Sequence, residues 1–164
     1  MLSTQNVLSF FAVLLTGLLA GLFYGYACSV NIGLGRLDDA EYLRAMQSIN
    51  EGISNPVFFL SFFGALVLLP FASWMNYTSA PTAAFYLLLS ATIIYVIGVF
   101  GVTVAGNVPL NEALAHFTID GASPQDLLVQ REKFESAWNR YHTIRTVASV
   151  LSFALSITAI FKIK

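Results

Sequence analysis

Of the chain's 17 charged side chains, 15 fall in two stretches, Arg36–Glu51 and Glu112–Arg145, and four long apolar segments lie around them. A bilayer core takes about 20 apolar residues per helix, and the segments near 6–32, 56–77, 82–106 and 143–161 each meet that length. Spans that cross in alternation bring both charged stretches out on one side and leave Lys162 and Lys164 on the other. The expected fold is therefore all-α: an integral membrane four-helix bundle in one domain, with amphipathic helical extensions on one side near 38–54 and 124–142. Only 10% of the residues are charged, against about 25% in a soluble domain, so lipid is the expected solvent. A net charge of −1 gives nucleic acid no reason to bind.

Local signals divide the chain further. Gly17, Gly21, Gly25, Ser29 and Gly33 recur every fourth residue, a stripe on which a neighbouring backbone packs closely, either within the bundle or between copies in a homo-oligomer. The apolar run at the N-terminus lacks a basic flank and outruns a signal peptide, so it reads as a retained span. Cys28, the single cysteine, has no internal partner and reads as a small buried residue. Asp38 and Glu41 have the spacing of a capping box, followed by Leu43, Met46, Ile49 and Ile53 at helical intervals. Pro56 suits a first helical turn, and Trp74 and Tyr77 suit a membrane interface. Pro109 predicts that the third span stops or kinks within Asn107–Asn111. Ser123 and Pro124 start a helix that nothing interrupts before Lys162. Arg36, Arg44, Arg131, Lys133 and Arg140 on the polar side, against two lysines opposite, predict a cytoplasmic polar face with both termini outside.

The candidate site lies where these segments meet. Arg131, Phe134, Trp138, His142 and Arg145 share one helical stripe that descends toward the water–hydrocarbon boundary. Histidine exchanges protons near neutrality, arginine holds anions through a fork of donors, and tryptophan offers an apolar wall or a stacking face. Alternating topology brings Asn31, Asn55, Asn107 and Asn111 to the same level. Each residue also has a plainer role. Arg145 can snorkel to the interface, His142 can hydrogen-bond a carbonyl, Trp138 can anchor at the interface, and the asparagines can cap helix ends. Glu132 and Glu135 read as a solvated face. No metal site is expected, because His116 and His142 are the only histidines and Cys28 the only thiol. Haem on a single axial histidine stays open.

Gly-Leu-Phe-Tyr-Gly at 21–25, Leu37-Asp38-Asp39, Arg44-Ala45-Met46-Gln47, Asn55-Pro56, Asn107-Val108-Pro109-Leu110-Asn111 and Trp138-Asn139 with His142 and Arg145-Thr146 resemble the anthrone oxygenase-like family of membrane proteins. The resemblance implies four membrane helices and, in some members, oxidation of a polyketide anthrone by molecular oxygen. Removing one methylene proton from an anthrone gives an electron-rich enolate that itself reduces oxygen, so no cofactor is obligatory. In that chemistry His142 accepts the proton, Arg145 and an asparagine hold the enolate oxygen, and Trp138 and Phe134 sandwich the rings. The partners expected are the lipid bilayer and an apolar or aromatic small molecule. Two other functions fit the same residues: a binding or transport protein without chemistry, and an assembly partner that packs through the Gly17–Gly21–Gly25 stripe.

Overall fold

A computed structural model describes residues 3–77 and 81–163. Lys164 and positions 78–80, the middle of the link between the second and third spans, lie outside the described residues. Five helices account for the architecture: α1 (Thr4–Leu34), α2 (Asp39–Ile53), α3 (Pro56–Met75), α4 (Ala83–Ala115) and α5 (Pro124–Ile160). All but α2 are long and apolar enough to cross a membrane, and the chain is a multi-pass membrane protein. Side-chain caps start the four spans. Ser3 accepts from the amide of Asn6, Asn55 from those of Val57 and Phe58, Thr82 from Phe85 and Ser123 from Asp126, pairing N–H groups that a first helical turn leaves free.

The spans form a four-cornered bundle in the order α1, α3, α4, α5, with α5 packed on both α1 and α4. Lipid-soluble exteriors supply little drive for helices to associate, so close backbone approach and interhelical hydrogen bonds must do so. Ala12, Ala65, Ala72 and Ala91 are fully buried at the axis with Leu19, Leu69 and Leu88. Ser152 donates to the Ala91 carbonyl at 2.9 Å, Tyr95 donates to the Phe62 carbonyl at 2.8 Å, and the Ser73 and Thr92 hydroxyls pair at 3.1 Å. At the end of the bundle opposite the two charged stretches, Asn76 donates to Ser9 and accepts from Gln5. Leu18, Leu60, Val67, Ile97 and Val147 stay more than half exposed and face the acyl chains.

On the polar side α2 lies across the bundle mouth, with Tyr42, Leu43 and Met46 fully buried. Asp38 stands at the N-cap position, but its side chain accepts no hydrogen bond, so the expected capping box does not close. Arg131 holds this corner instead. Its guanidinium donates to the carbonyls of Leu37 and Gly35, to Asp39 at 3.0 Å and to Glu135 at 2.7 Å, and it covers the Tyr42 ring. Glu135 is thus part of a partly buried ion pair rather than a solvated face. Helix α5 runs unbroken for 37 residues, about 56 Å at 1.5 Å per residue, so its first turns project beyond the hydrocarbon.

Pro109 does not end the third span. The helix continues to Ala115 because the turns before the proline widen to i→i+5 bonding over Tyr95–Gly101 and Thr103–Asn107. Proline lacks an N–H, and its ring clashes with the carbonyl four residues back in a regular α-turn. The wider turn carries the Val108 amide to the Thr103 carbonyl and relieves the crowding. A similar turn spans Tyr26–Val30 in α1.

The glycine stripe is only partly used within the protomer. A Cβ at Gly17 would lie 2.8 Å from the Phe153 ring, whereas Gly21, Gly25 and Gly33 have open space around them. The tighter contact is elsewhere: a Cβ at Gly98 would lie 2.6 Å from that of Ala148. Gly98→Val should therefore lower the thermal midpoint in detergent by an amount corresponding to about 1–3 kcal/mol of overpacking, while Gly21→Ala leaves it within experimental error. Equal midpoints for the two variants would contradict the α4–α5 contact described.

Candidate active site

One face of α5 carries a ladder of rings that ends in a cation. Phe134, Trp138, His142 and Arg145 are all buried. The Phe134 and Trp138 rings lie 6.2 Å apart at 28°, and the Trp138 and His142 rings 5.0 Å apart at 14°. Trp138 therefore has one of the protein's own rings on each face. The expected sandwich of a ligand between Trp138 and Phe134 has no room, because helical spacing stacks those two rings against each other. Phe134 instead meets Tyr42 of α2, outside the cavity. The indole keeps one fixed direction, since its Nε1 donates to Asn111 Oδ1 at 2.8 Å.

Arg145 turns inward, with 9% of its surface exposed, and does not snorkel to the interface. Its Nε donates to His142 Nδ1 at 3.2 Å, and its guanidinium lies 4.5 Å over the Phe23 ring and 5.2 Å from that of Trp138. Among the described residues no carboxylate pairs with it. A guanidinium only donates, so Nδ1 presents its lone pair and the imidazole carries its hydrogen on Nε2. Thr146 Oγ1 lies 3.4 Å from Nε2 and donates to the His142 carbonyl at 2.7 Å. Tyr26, from the wide turn of α1, closes the side of the imidazole at 4.9 Å.

These groups line a cavity of about 260 Å³ between α1, α3, α4, α5 and the end of α2. Phe58, Phe59, Phe62, Phe63 and Phe100 form its aromatic wall, and His142, Arg145 and the edge of Trp138 line its α5 side. A second, polar cavity of about 500 Å³ is lined by Gln47, Asn50, Glu51, Ser54, Asn111 and Glu112. Asn50, Ser54, Val108 and Asn111 line both, so the apolar chamber adjoins a polar vestibule.

The four asparagines do not converge. Asn111 alone lines the cavity. Asn55 is spent on its helix end, where its side chain accepts from two amides and donates to the Gly52 carbonyl. Asn107 is buried behind the ladder and donates to the Trp138 carbonyl at 3.3 Å. Asn31 is half-exposed on α1, away from both cavities. Equal height in the membrane does not fix which way a helix face points, and the wide turns rotate these faces. Among the further residues that line the chamber are Phe23, Tyr26, Asn50 and Thr103. Thr103 and Tyr26, inside apolar segments, carried no readable signal. Among the described residues no three His, Cys, Asp or Glu side chains gather as a metal site.

The family model for anthrone oxygenase matches residues 58–155, more than half of the chain and the part that holds the whole ring ladder. The chain belongs to the anthrone oxygenase family. No curated protein and no solved structure matches it. The anthrone oxygenase match covers Asn107, Asn111, Trp138, His142 and Arg145 but ends short of α1 and α2, which supply Tyr26 and Asn50.

A buried cation without a carboxylate is costly, and apolar replacements at such positions often stabilise a protein. Arg145→Met should raise the thermal midpoint of the ligand-free protein, by the equivalent of about 1 kcal/mol or more, as read by a melt in detergent. A midpoint several degrees lower would mean that the guanidinium is a structural tie.

Proposed function

We propose that this protein oxidises a flat aromatic carbon acid of the anthrone type with molecular oxygen, using its own side chains for the proton chemistry. The observation that carries the reading is a buried guanidinium, free of any carboxylate partner among the described residues, on an aromatic-lined cavity of about 260 Å³. A dry cavity of about 150 Å³ holds benzene, so this one suits two or three fused rings. An anion that forms beside Arg145 would supply the charge the site lacks.

The chemistry follows from the resting hydrogen bond. A substrate carbonyl oxygen draws the guanidinium from His142 Nδ1 onto itself and so frees the lone pair of that nitrogen. His142 then takes a proton from the methylene, and the C–H electron pair passes to the oxygen, now an enolate held by Arg145. The enolate carbon transfers electrons to dioxygen and forms a C–O bond, giving a hydroperoxide after protonation. Loss of water across that carbon leaves a second carbonyl. One dioxygen is consumed, and one quinone and one water are formed per anthrone. Preorganised donors at a developing oxyanion typically contribute about 10²–10³ in rate, and a positioned base about 10²–10⁴. By the balance of arginines and lysines we place the polar face, and with it the vestibule, on the cytoplasmic side.

Oxygen uptake by detergent-purified protein supplied with anthrone tests this. The expected result is one dioxygen per quinone formed, with Arg145→Met and His142→Ala each lowering kcat at least about 10²-fold. A His142→Ala protein that binds anthrone and turns it over at the full rate would remove the proposed base. A wild-type rate equal to that of empty micelles would remove the activity.

A further inference from the structure

Two polar groups that line the chamber have no partner inside the protein. Thr103 is 7% exposed and its hydroxyl is buried without a hydrogen bond. The Nδ2 of Asn50 is likewise buried and unpaired. Buried hydroxyls and amides are nearly always paired, and leaving one unpaired costs on the order of 1–3 kcal/mol. Both therefore point to a ligand that supplies what the protein does not.

Their heights differ. The Trp138–Asn111 hydrogen bond sets the register of two antiparallel neighbours, α5 and α4. Arg145 lies seven residues deeper than Trp138 along α5, about 10 Å, and Thr103 lies eight residues deeper than Asn111 along α4, about 12 Å. Arg145 and Thr103 thus share the deep level of the chamber. Asn50 lies at the shallow level, where it lines chamber and vestibule together with Asn111. Between the two levels, α4 and α5 present Val104, Val108 and His142 to the chamber, and α3 adds phenylalanines.

We infer that the chamber is built for a flat ligand carrying oxygen at both ends, one at Arg145 and Thr103 and the other at the Asn50 amide. This rests on the reading of the chamber as an anthrone-type site and adds to it a specificity-determining residue and a substituent. The ring oxygen that becomes the enolate takes the guanidinium and the Thr103 hydroxyl. A hydroxyl or carbonyl on the outer ring, remote from that oxygen, pairs with Asn50. An amide serves either case, since it donates through Nδ2 and, turned over, accepts through Oδ1. A site built to pair a ligand oxygen discriminates strongly against an analogue without it, because its own buried group is then left unpaired.

The test is equilibrium binding to the detergent-purified protein without oxygen, so that no turnover intervenes, read by quenching of tryptophan fluorescence. The probes are anthrone and a congener with one hydroxyl on an outer ring. The wild-type protein should bind the hydroxylated congener about tenfold tighter, one added hydrogen bond being worth about 1.4 kcal/mol. Asn50→Leu should erase that preference and leave the affinity for anthrone unchanged, which also reports that the variant is folded. Thr103→Val should weaken both probes alike. Equal wild-type affinities, or an Asn50→Leu protein that loses both probes equally, would overturn the second oxygen site while leaving the anthrone site standing. Failure of both probes to bind the wild-type protein would remove both proposals.

Discussion

A guanidinium held inside a membrane bundle by ring faces and one imidazole nitrogen is the feature around which the rest is arranged. Charge at membrane depth is expensive, and among the described residues Arg145 has Phe23, Trp138 and His142 Nδ1 to offset that cost. Each of those supports has to be fixed in turn. The Asn111 hydrogen bond fixes the indole, the indole stacks the imidazole, and Tyr26 closes the imidazole from α1. At the far end of the ladder Arg131 ties the start of α2 to α5, so Tyr42 is held against Phe134. The two arginines of one helical stripe thus have opposite functions. Arg131, with Asp39 and Glu135 beside it, is structural, while Arg145, with no such partner among the described residues, is the one that the proposed function gives to a ligand.

The wide turns explain how a helix carrying a proline serves this arrangement. With regular α-turns, the proline ring would break α4 near the water interface. The i→i+5 segments over Tyr95–Gly101 and Thr103–Asn107 absorb the missing N–H and let one continuous helix present Phe100, Thr103, Val104, Val108 and Asn111 to the chamber. They also turn Asn107 away from the chamber, behind the ladder. Gly98 and Gly106 meet Ala148 and Tyr141 at distances that admit no side chain, so α4 sits close enough to α5 for the Asn111 bond to form.

Much of this was legible in the chain, for reasons that differ by residue. Span number and polarity follow from where the charges fall, and bilayer thickness turns that pattern into topology. The α5 ladder follows from spacing alone, since residues three and four apart share a face whatever surrounds them. The inward turn of Arg145 was expected from the residue types beside the snorkelling alternative. Spacing did not decide between them, because a stripe gives an azimuth only relative to its own helix. The asparagines failed for the same reason: height was readable and rotation was not. Of the two outcomes expected at Pro109, a stop does not occur, because the rule that proline ends a helix assumes regular turns before it. Thr103 and Asn50 stand out only once every buried donor has been matched to an acceptor, which no sequence pattern records.

The placement of the chamber bears on how a ligand reaches it. Leu22, Phe59, Phe63 and Val104 line the cavity yet are each more than a third exposed on the lipid-facing surface. The wall there is one side chain thick, and the first turns of α3 barely touch the Thr103–Asn107 segment. Under the proposed function, an apolar tricycle dissolved in the bilayer would meet this wall without crossing water. The other side of the chamber adjoins the Gln47–Glu112 vestibule, which is polar and carries two carboxylates, Glu51 and Glu112. In the proposed reaction the product has one more carbonyl than the substrate, and water is released. Both changes favour departure toward the vestibule. A chamber with an apolar wall on the lipid side and amide side chains on the aqueous side gives that exchange a direction without requiring a moving domain.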